Sequence, residues 1–256
     1  MREINAILTM AYRDVMKLLR DPTRMISTFL FPLMFIVILG GSMQAMVDRF
    51  VYLPFIFTGV FAQTLFQSSA LGVISLIDDR EHDFSQEIFV SPISRYSIIL
   101  GKIAGETLVS WTQGLGILVF GLIAGVRFSL LQLVGLTWTG LVVCVFGAAF
   151  GVMVLSNLSN RRAADQVFPF IMLPQFFLAG VFNPIRVLPP YLDVLSKIAP
   201  MRYAIDLVRS VFYSGAADYG EVVLQPALVN VAIIAAAFAA FLVIGTFLFV
   251  RSERNR

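Results

Sequence analysis

Apolar runs of about 20 residues recur from one end of this 256-residue chain to the other, and no other feature limits its fold as tightly. A run of that length crosses roughly 30 Å of hydrocarbon at 1.5 Å per residue. Inside lipid the backbone must satisfy its own hydrogen bonds, which favours helices. Composition agrees, with 58% hydrophobic and 14% charged residues, against about 45–50% and 25% in ordinary soluble domains. The expectation is an all-α integral membrane protein, a single transmembrane domain over 1–256. Six spans are counted, at about 25–46, 51–77, 98–126, 130–155, 167–182 and 226–250. The fifth is short and holds Pro169 and Pro174. Charges run through the first 24 residues, so no cleavable signal peptide is expected.

Lys and Arg set the orientation. One side collects Arg2, Arg13, Lys17, Arg20, Arg24, Arg80, Arg95, Lys102, Arg161, Arg162, Arg251, Arg254 and Arg256. The other holds Arg49, Arg127, Arg186, Lys197, Arg202 and Arg209. The richer side is expected to be cytoplasmic, with both termini inside.

Two segments outside the spans have helical patterns. In residues 3–21, Ile4, Ile7, Leu8, Ala11, Val15, Leu18 and Leu19 share one face, with Arg13, Lys17 and Arg20 opposite. This predicts an interfacial helix, apolar side in the acyl region and basic side on the headgroups. The alternative is a cytosolic helix packed on the protein's own body. Asp21-Pro22 ends it. Residues 183–225 are too long for a turn and too apolar for a solvated loop. Pro189-Pro190 and Ala199-Pro200 divide them into two short amphipathic stretches. The expectation is an external or re-entrant helix pair between spans five and six, dipping into the outer leaflet or lying flat on it.

Segment 78–95 is polar enough to require water. It carries Asp78, Asp79, Glu81, Asp83 and Glu87 with Arg80 and Arg95. Phe84, Ile88 and Phe89 recur at helical spacing among the charges, and Ser91-Pro92 ends the pattern. This reads as a rigid amphipathic knob that meets a soluble partner.

Within span two, Gln63, Thr64, Gln67 and Ser68 cluster, with Gln63 and Gln67 one turn apart. Buried amides need partners, so this face meets protein or water. It either lines a path for an amphipathic substrate or glues helices together. Gly147 and Gly151 make a small-xxx-small pair. Lys102 and Glu106, one turn apart, are expected to neutralise each other. Cys144 reads as a packed thiol and His82 as a solvated imidazole. No P-loop, metal-ligand cluster or catalytic set is present, so neither catalytic nor metal residues are assigned and no cofactor is expected on this chain. No nucleic-acid partner is expected.

Several pieces together resemble the membrane subunits of type-2 ATP-binding cassette exporters, the permeases for drugs, lipids and polysaccharides. They are Leu19-Arg-Asp-Pro22, Asp79-Arg-Glu-His82, Val90-Ser-Pro-Ile-Ser-Arg95, Asn160-Arg-Arg162, Leu178-Ala-Gly-Val-Phe-Asn-Pro184, Leu188-Pro-Pro-Tyr-Leu192 and Ala199-Pro-Met-Arg-Tyr-Ala204. Asp83-Phe84 departs from that family's usual Gly-Thr. The resemblance implies a second copy of this permease, or a similar chain, completing the path. It implies a dimer of cytoplasmic P-loop ATPase subunits that binds ATP and Mg. The coupling contacts to those subunits would be Asp79, Arg80, Glu81, His82, Glu87, Phe89, Ser91, Pro92 and Arg95, with Gln63, Gln67 and Ser68 as candidates for the path. Location would be a bacterial or archaeal plasma (inner) membrane, in contact with its lipids. The competing readings are an ATP-independent secondary transporter or channel, and a lipid-handling membrane enzyme. The first needs a functional mid-membrane charge and the second a set of carboxylates or histidines facing one cavity.

Overall fold

The structure is a computed structural model, and it describes residues 2–43, 50–75, 77, 95–155, 158, 160–186 and 188–254. Among these residues every regular element is a helix. In chain order they are α1 (Arg2–Leu19), α2 (Pro22–Ser42), α3 (Tyr52–Gly72), α4 (Arg95–Ile123) and α5 (Leu130–Leu155). There follow α6 (Arg161–Leu178), α7 (Pro190–Ile198), α8 (Pro200–Phe212), the single turn α9 (Tyr219–Val222) and α10 (Ala227–Arg254).

Local chemistry sets many of these boundaries. Ser129 and Gln132 form a capping box at the start of α5. The Ser129 amide donates to Gln132 Oε1 at 2.7 Å, and the Gln132 amide donates to Ser129 Oγ at 3.2 Å. Asn160 caps α6 by accepting from the Ala163 amide at 2.8 Å. Pro190 and Pro200 open α7 and α8 at the first helical position, where a missing N–H costs nothing. Gly125 and Gly180, at φ +94° and +76°, end α4 and α6 in the left-handed conformation that glycine adopts most readily. In both, the next residue's amide reaches back five residues: Val126 to Gly121 at 2.9 Å and Val181 to Phe176 at 3.2 Å.

Among the described residues three stretches are long and apolar enough to cross a bilayer: Tyr96–Ile123, Leu130–Leu155 and Tyr219–Leu248. The other candidate spans carry interruptions. Helix α2 contains Pro32 and has its apolar part in Phe29–Ser42. Helix α3 carries the Gln63–Ser69 polar cluster. Helix α6 opens on Arg161 and Arg162 and contains Pro169 and Pro174.

Helix α3 is the axis of the bundle, with 16 of its 21 residues buried, so its polar side chains face other helices. It packs on α2, α4, α5 and α8. Against α5 the two backbones nearly touch. A side chain at Gly147 would run into the Phe66 carbonyl oxygen, and one at Gly151 into that of Ala70. Around this seam Phe66 meets Phe146 at 5.5 Å, which stacks in turn on Phe241 of α10 at 5.6 Å. Cys144 is fully buried on the same helix.

The apolar face of α1 splits in two. Ala11 and Leu18 are buried, and the backbone at Ile7 and Ala11 lies against Gly101 and Gly105 of α4. Ile4, Leu8, Tyr12 and Leu19 form a second stripe that stays exposed. So α1 packs on the body of the protein while keeping an uncovered apolar edge.

Candidate functional site

The polar residues of α3 open into a cleft of about 280 Å³ between α2, α3 and α4. Its wall brings together Gln63, Thr64, Gln67 and Ser68, with Phe31 and Pro32 of α2 opposite and Gln113 of α4 beside them. Proline at position 32 also removes a helical donor, leaving the carbonyl one turn earlier without its usual partner. Gln63 Nε2 donates to Gln67 Oε1 at 3.2 Å, within the same helix. This bond lies within one helix rather than between helices, and it leaves Gln63 Oε1 and Gln67 Nε2 for other partners. Ser68 does bridge: Ser110 Oγ of α4 lies 3.1 Å from its hydroxyl. Gln113 is only 3% exposed, and its Oε1 is buried without a hydrogen-bond partner. Its sign in the sequence is a single amide after Ser110 and Thr112 inside a candidate span.

Beside the Gly72 end of the cleft lies a buried ionic anchor. Lys102 is 0% exposed and sits 2.6 Å from Glu106 and 2.7 Å from Asp14 of α1. Arg13 in turn reaches Asp14 at 3.3 Å. Among the described residues two cations thus face two carboxylates. Glycines make the room: side chains at Gly72 and Gly105 would collide with the carboxylates of Glu106 and Asp14. Ser75 Oγ also approaches Glu106 at 3.5 Å. The anchor therefore ties α1, α4 and the end of α3 to one another, and the last of these leads into segment 78–95. The Lys102–Glu106 pairing follows from the i, i+4 spacing, whereas Asp14, 88 residues away, does not.

On the opposite end, Asp206 of α8 clamps the entrance to α10. It accepts from the amides of Leu224 and Gln225 at 2.7 and 3.1 Å and from Asn230 Nδ2 at 2.8 Å. Arg209, counted among the external charges, is instead buried, its guanidinium 3.7 Å above the Phe55 ring. Further out, the hydrogen bond from Lys197 holds the exposed Asp193 carboxyl below the ordinary carboxylate range, assisted by Arg202. Among the described residues no group of acidic, histidine or cysteine side chains is placed to hold a metal ion.

Of the coupling residues, Asp79, Arg80, Glu81, His82, Glu87, Phe89, Ser91 and Pro92 lie outside the described residues, and Arg95 is described as the first residue of α4, its side chain not among the described ones.

Helices alone among the described residues, three of them apolar and long enough to cross a bilayer, define a helical membrane protein. Residues 5–213 match the ABC-2 type transporter family, and the chain belongs to it. It is similar to the transport permease ycf38 of Cyanophora paradoxa, at 25% identity over 216 residues, 82% of this chain and 74% of that one. It is 25% identical over 231 residues to the daunorubicin resistance ABC transporter permease protein DrrB1 of Streptomyces coeruleorubidus, covering 86% of this chain and 78% of the relative. A third relative is the inner membrane transport permease YadH of Escherichia coli, at 25% identity over 175 residues and 66% of each chain. The chain is thus an ABC transporter permease, a transport subunit rather than an enzyme.

Proposed function

We propose that this chain is the membrane half of an ATP-driven exporter for an amphipathic drug, lipid or lipid-linked glycan. Helices α2, α3, α4, α5, α6 and α10 make the six crossings, with both termini in the cytoplasm of a bacterium or archaeon. Helices α7 and α8, within 183–225, dip into the outer leaflet with the Asp193–Lys197 edge of α7 turned to water. Two copies, or this chain and a similar one, complete the path. A dimer of P-loop ATPase subunits, carrying ATP and Mg, docks on segment 78–95 and on α1. Closure of those subunits pushes the knob and tilts the helices toward outward release.

The observation that carries this reading is the polar cleft on the most buried helix of the bundle. Polar groups are costly there unless something uses them. The ionic anchor supplies a stiff connection from α1 to the cleft floor. The rival reading, transport without ATP, needs a mid-membrane charge that changes state. Lys102 and Glu106 are instead locked in mutual neutralisation with Asp14.

The test is to purify the chain with the ATPase that accompanies it, reconstitute both in vesicles, and follow a fluorescent amphiphile. Transport is expected only with the ATPase and ATP. Charge reversal at Glu81 combined with Pro92→Gly is expected to leave ATP hydrolysis running while transport stops. Movement of cargo with no ATPase present, or normal pumping by the double variant, refutes the proposal.

A further inference from the structure

We infer that the cleft between α2, α3 and α4 selects an uncharged, hydroxyl-bearing headgroup of an amphipathic molecule. The inference rests on the permease reading above and narrows its cargo. Every polar side chain on the cleft wall is neutral: Gln63, Thr64, Gln67, Ser68 and Gln113. Each offers both donors and acceptors, which suits a hydroxyl group that also does both. Among the described residues the charges beside the cleft, Lys102 and Glu106, are paired with each other and with Asp14. A charged headgroup entering here would shed its water and find no free counter-charge, which is strongly unfavourable.

The internal bonding shows which part is missing. Gln63 donates to Gln67, and Ser68 is paired with Ser110. Gln63 Oε1, Gln67 Nε2 and the Thr64 hydroxyl keep unused capacity on the same wall, and Gln113 Oε1 is an acceptor without a donor in a side chain 97% covered. A ligand hydroxyl can both donate to such an oxygen and accept from the amide hydrogens, which a quaternary ammonium cannot, and a sulfate brings a charge that these neutral groups do not balance. Size fits a headgroup rather than a whole molecule. The cleft, at about 280 Å³, falls just below the roughly 300–1,000 Å³ of sites for complete small ligands. Phe31, exposed at the rim beside Pro32, offers an apolar lip over which a tail can leave for the lipid.

The experiment uses the full chain in nanodiscs without any ATPase. Three photoactivatable probes share one decyl chain and differ in headgroup: maltoside, trimethylammonium and sulfate. Cross-linked peptides are mapped by mass spectrometry as each probe is titrated. The maltoside probe is expected to label α3 and α4 at the lowest concentration. Gln113→Leu is expected to weaken it about tenfold, the loss of roughly one hydrogen bond. Gln113→Glu keeps the side-chain shape and adds a charge, so it is expected to move the preference to the trimethylammonium probe; Gln67→Glu tests the same from the neighbouring wall. The inference is overturned if a charged probe labels the unaltered chain as well as the maltoside does. It is equally overturned if neither glutamate variant changes the order. A separate arm addresses the path itself. Ser68→Trp, which fills the cleft, is placed in vesicles with the ATPase. Lost transport supports the path. Normal transport by Ser68→Trp defeats the path reading while leaving the headgroup preference intact.

Discussion

Removing the amine of Lys102 isolates two carboxylates in a dry interior. Lys102→Met keeps the length and bulk of the side chain but leaves Asp14 and Glu106, 5% and 4% exposed, without their shared cation. Breaking a buried ion pair from one side costs about 3–5 kcal/mol, because the surviving charge is neither solvated nor neutralised. Arg13 remains 3.3 Å from Asp14 but is itself partly in solvent, so it offsets little. At roughly 2–4 °C per kcal/mol for a chain of this size, the melting temperature is expected to fall by about 6–20 °C. The loss should concentrate where the anchor acts, so amide exchange in α1 is expected to rise before that in α5. The triple variant Lys102→Met, Asp14→Asn, Glu106→Gln removes both buried carboxylates with their cation, leaves only the partly solvated Arg13 charged, and is expected to recover most of the loss. Thermal unfolding of the three proteins in one detergent decides the matter. A single-variant loss under about 1 kcal/mol, or a triple variant no more stable than the single one, refutes the argument that desolvation of unpaired charge dominates here.

The other predictions concern separate parts of the bundle. Asp206→Ala deletes three accepted hydrogen bonds and is expected to cost about 2–4 kcal/mol, with Asp206→Asn recovering part of it; chemical unfolding measures both. Gly151→Val forces a side chain into the Ala70 backbone and is expected to cost about 1–3 kcal/mol or more, whereas Gly41→Ala, where a Cβ meets nothing, is expected to be nearly neutral. The folded-state pKa of Asp193 is depressed, so its ion cluster contributes above the unfolded value near about 3.9 and the contribution fades as pH falls through the folded value. Lys197→Met is expected to raise the Asp193 pKa toward its ordinary value in carboxyl NMR titration while global stability barely moves, since the pair lies at the surface.

The parts of this fold that sequence reading reaches are those written locally. Helix α5 is marked at its start by the Ser129–Gln132 capping box, and its limits at Leu130 and Leu155 coincide with the apolar run. Pro190 and Pro200 mark the starts of α7 and α8. Gly147 and Gly151 announce a close contact, although not its partner, α3. What sequence reading misses is non-local. Asp14 lies in a helix whose pattern divides simply into apolar and basic sides, and nothing there says that a lysine 88 residues on will claim it. The pair Gly101 and Gly105, which admits α1 against α4, sits beside Lys102 and Glu106, and nothing in the local pattern names α1 as the partner. Arg209 reads as a solvated external charge because its aromatic companion, Phe55, sits on a different helix. Gln113 follows Ser110 and Glu106 at helical spacing, but only the assembled cleft sets it beside the polar face of α3.

The burial of Cys144 has a practical consequence. It is the single cysteine of the sequence, and no part of it reaches the surface of the bundle. Maleimides and spin-label reagents should pass it by, which makes the native chain a ready background for site-directed labelling. A cysteine introduced at Tyr12 on the open edge of α1, paired with another at Phe170 on the outer side of α6, would carry the only reactive thiols. Distances between such labels could then be followed through an ATP cycle without first rebuilding the interior.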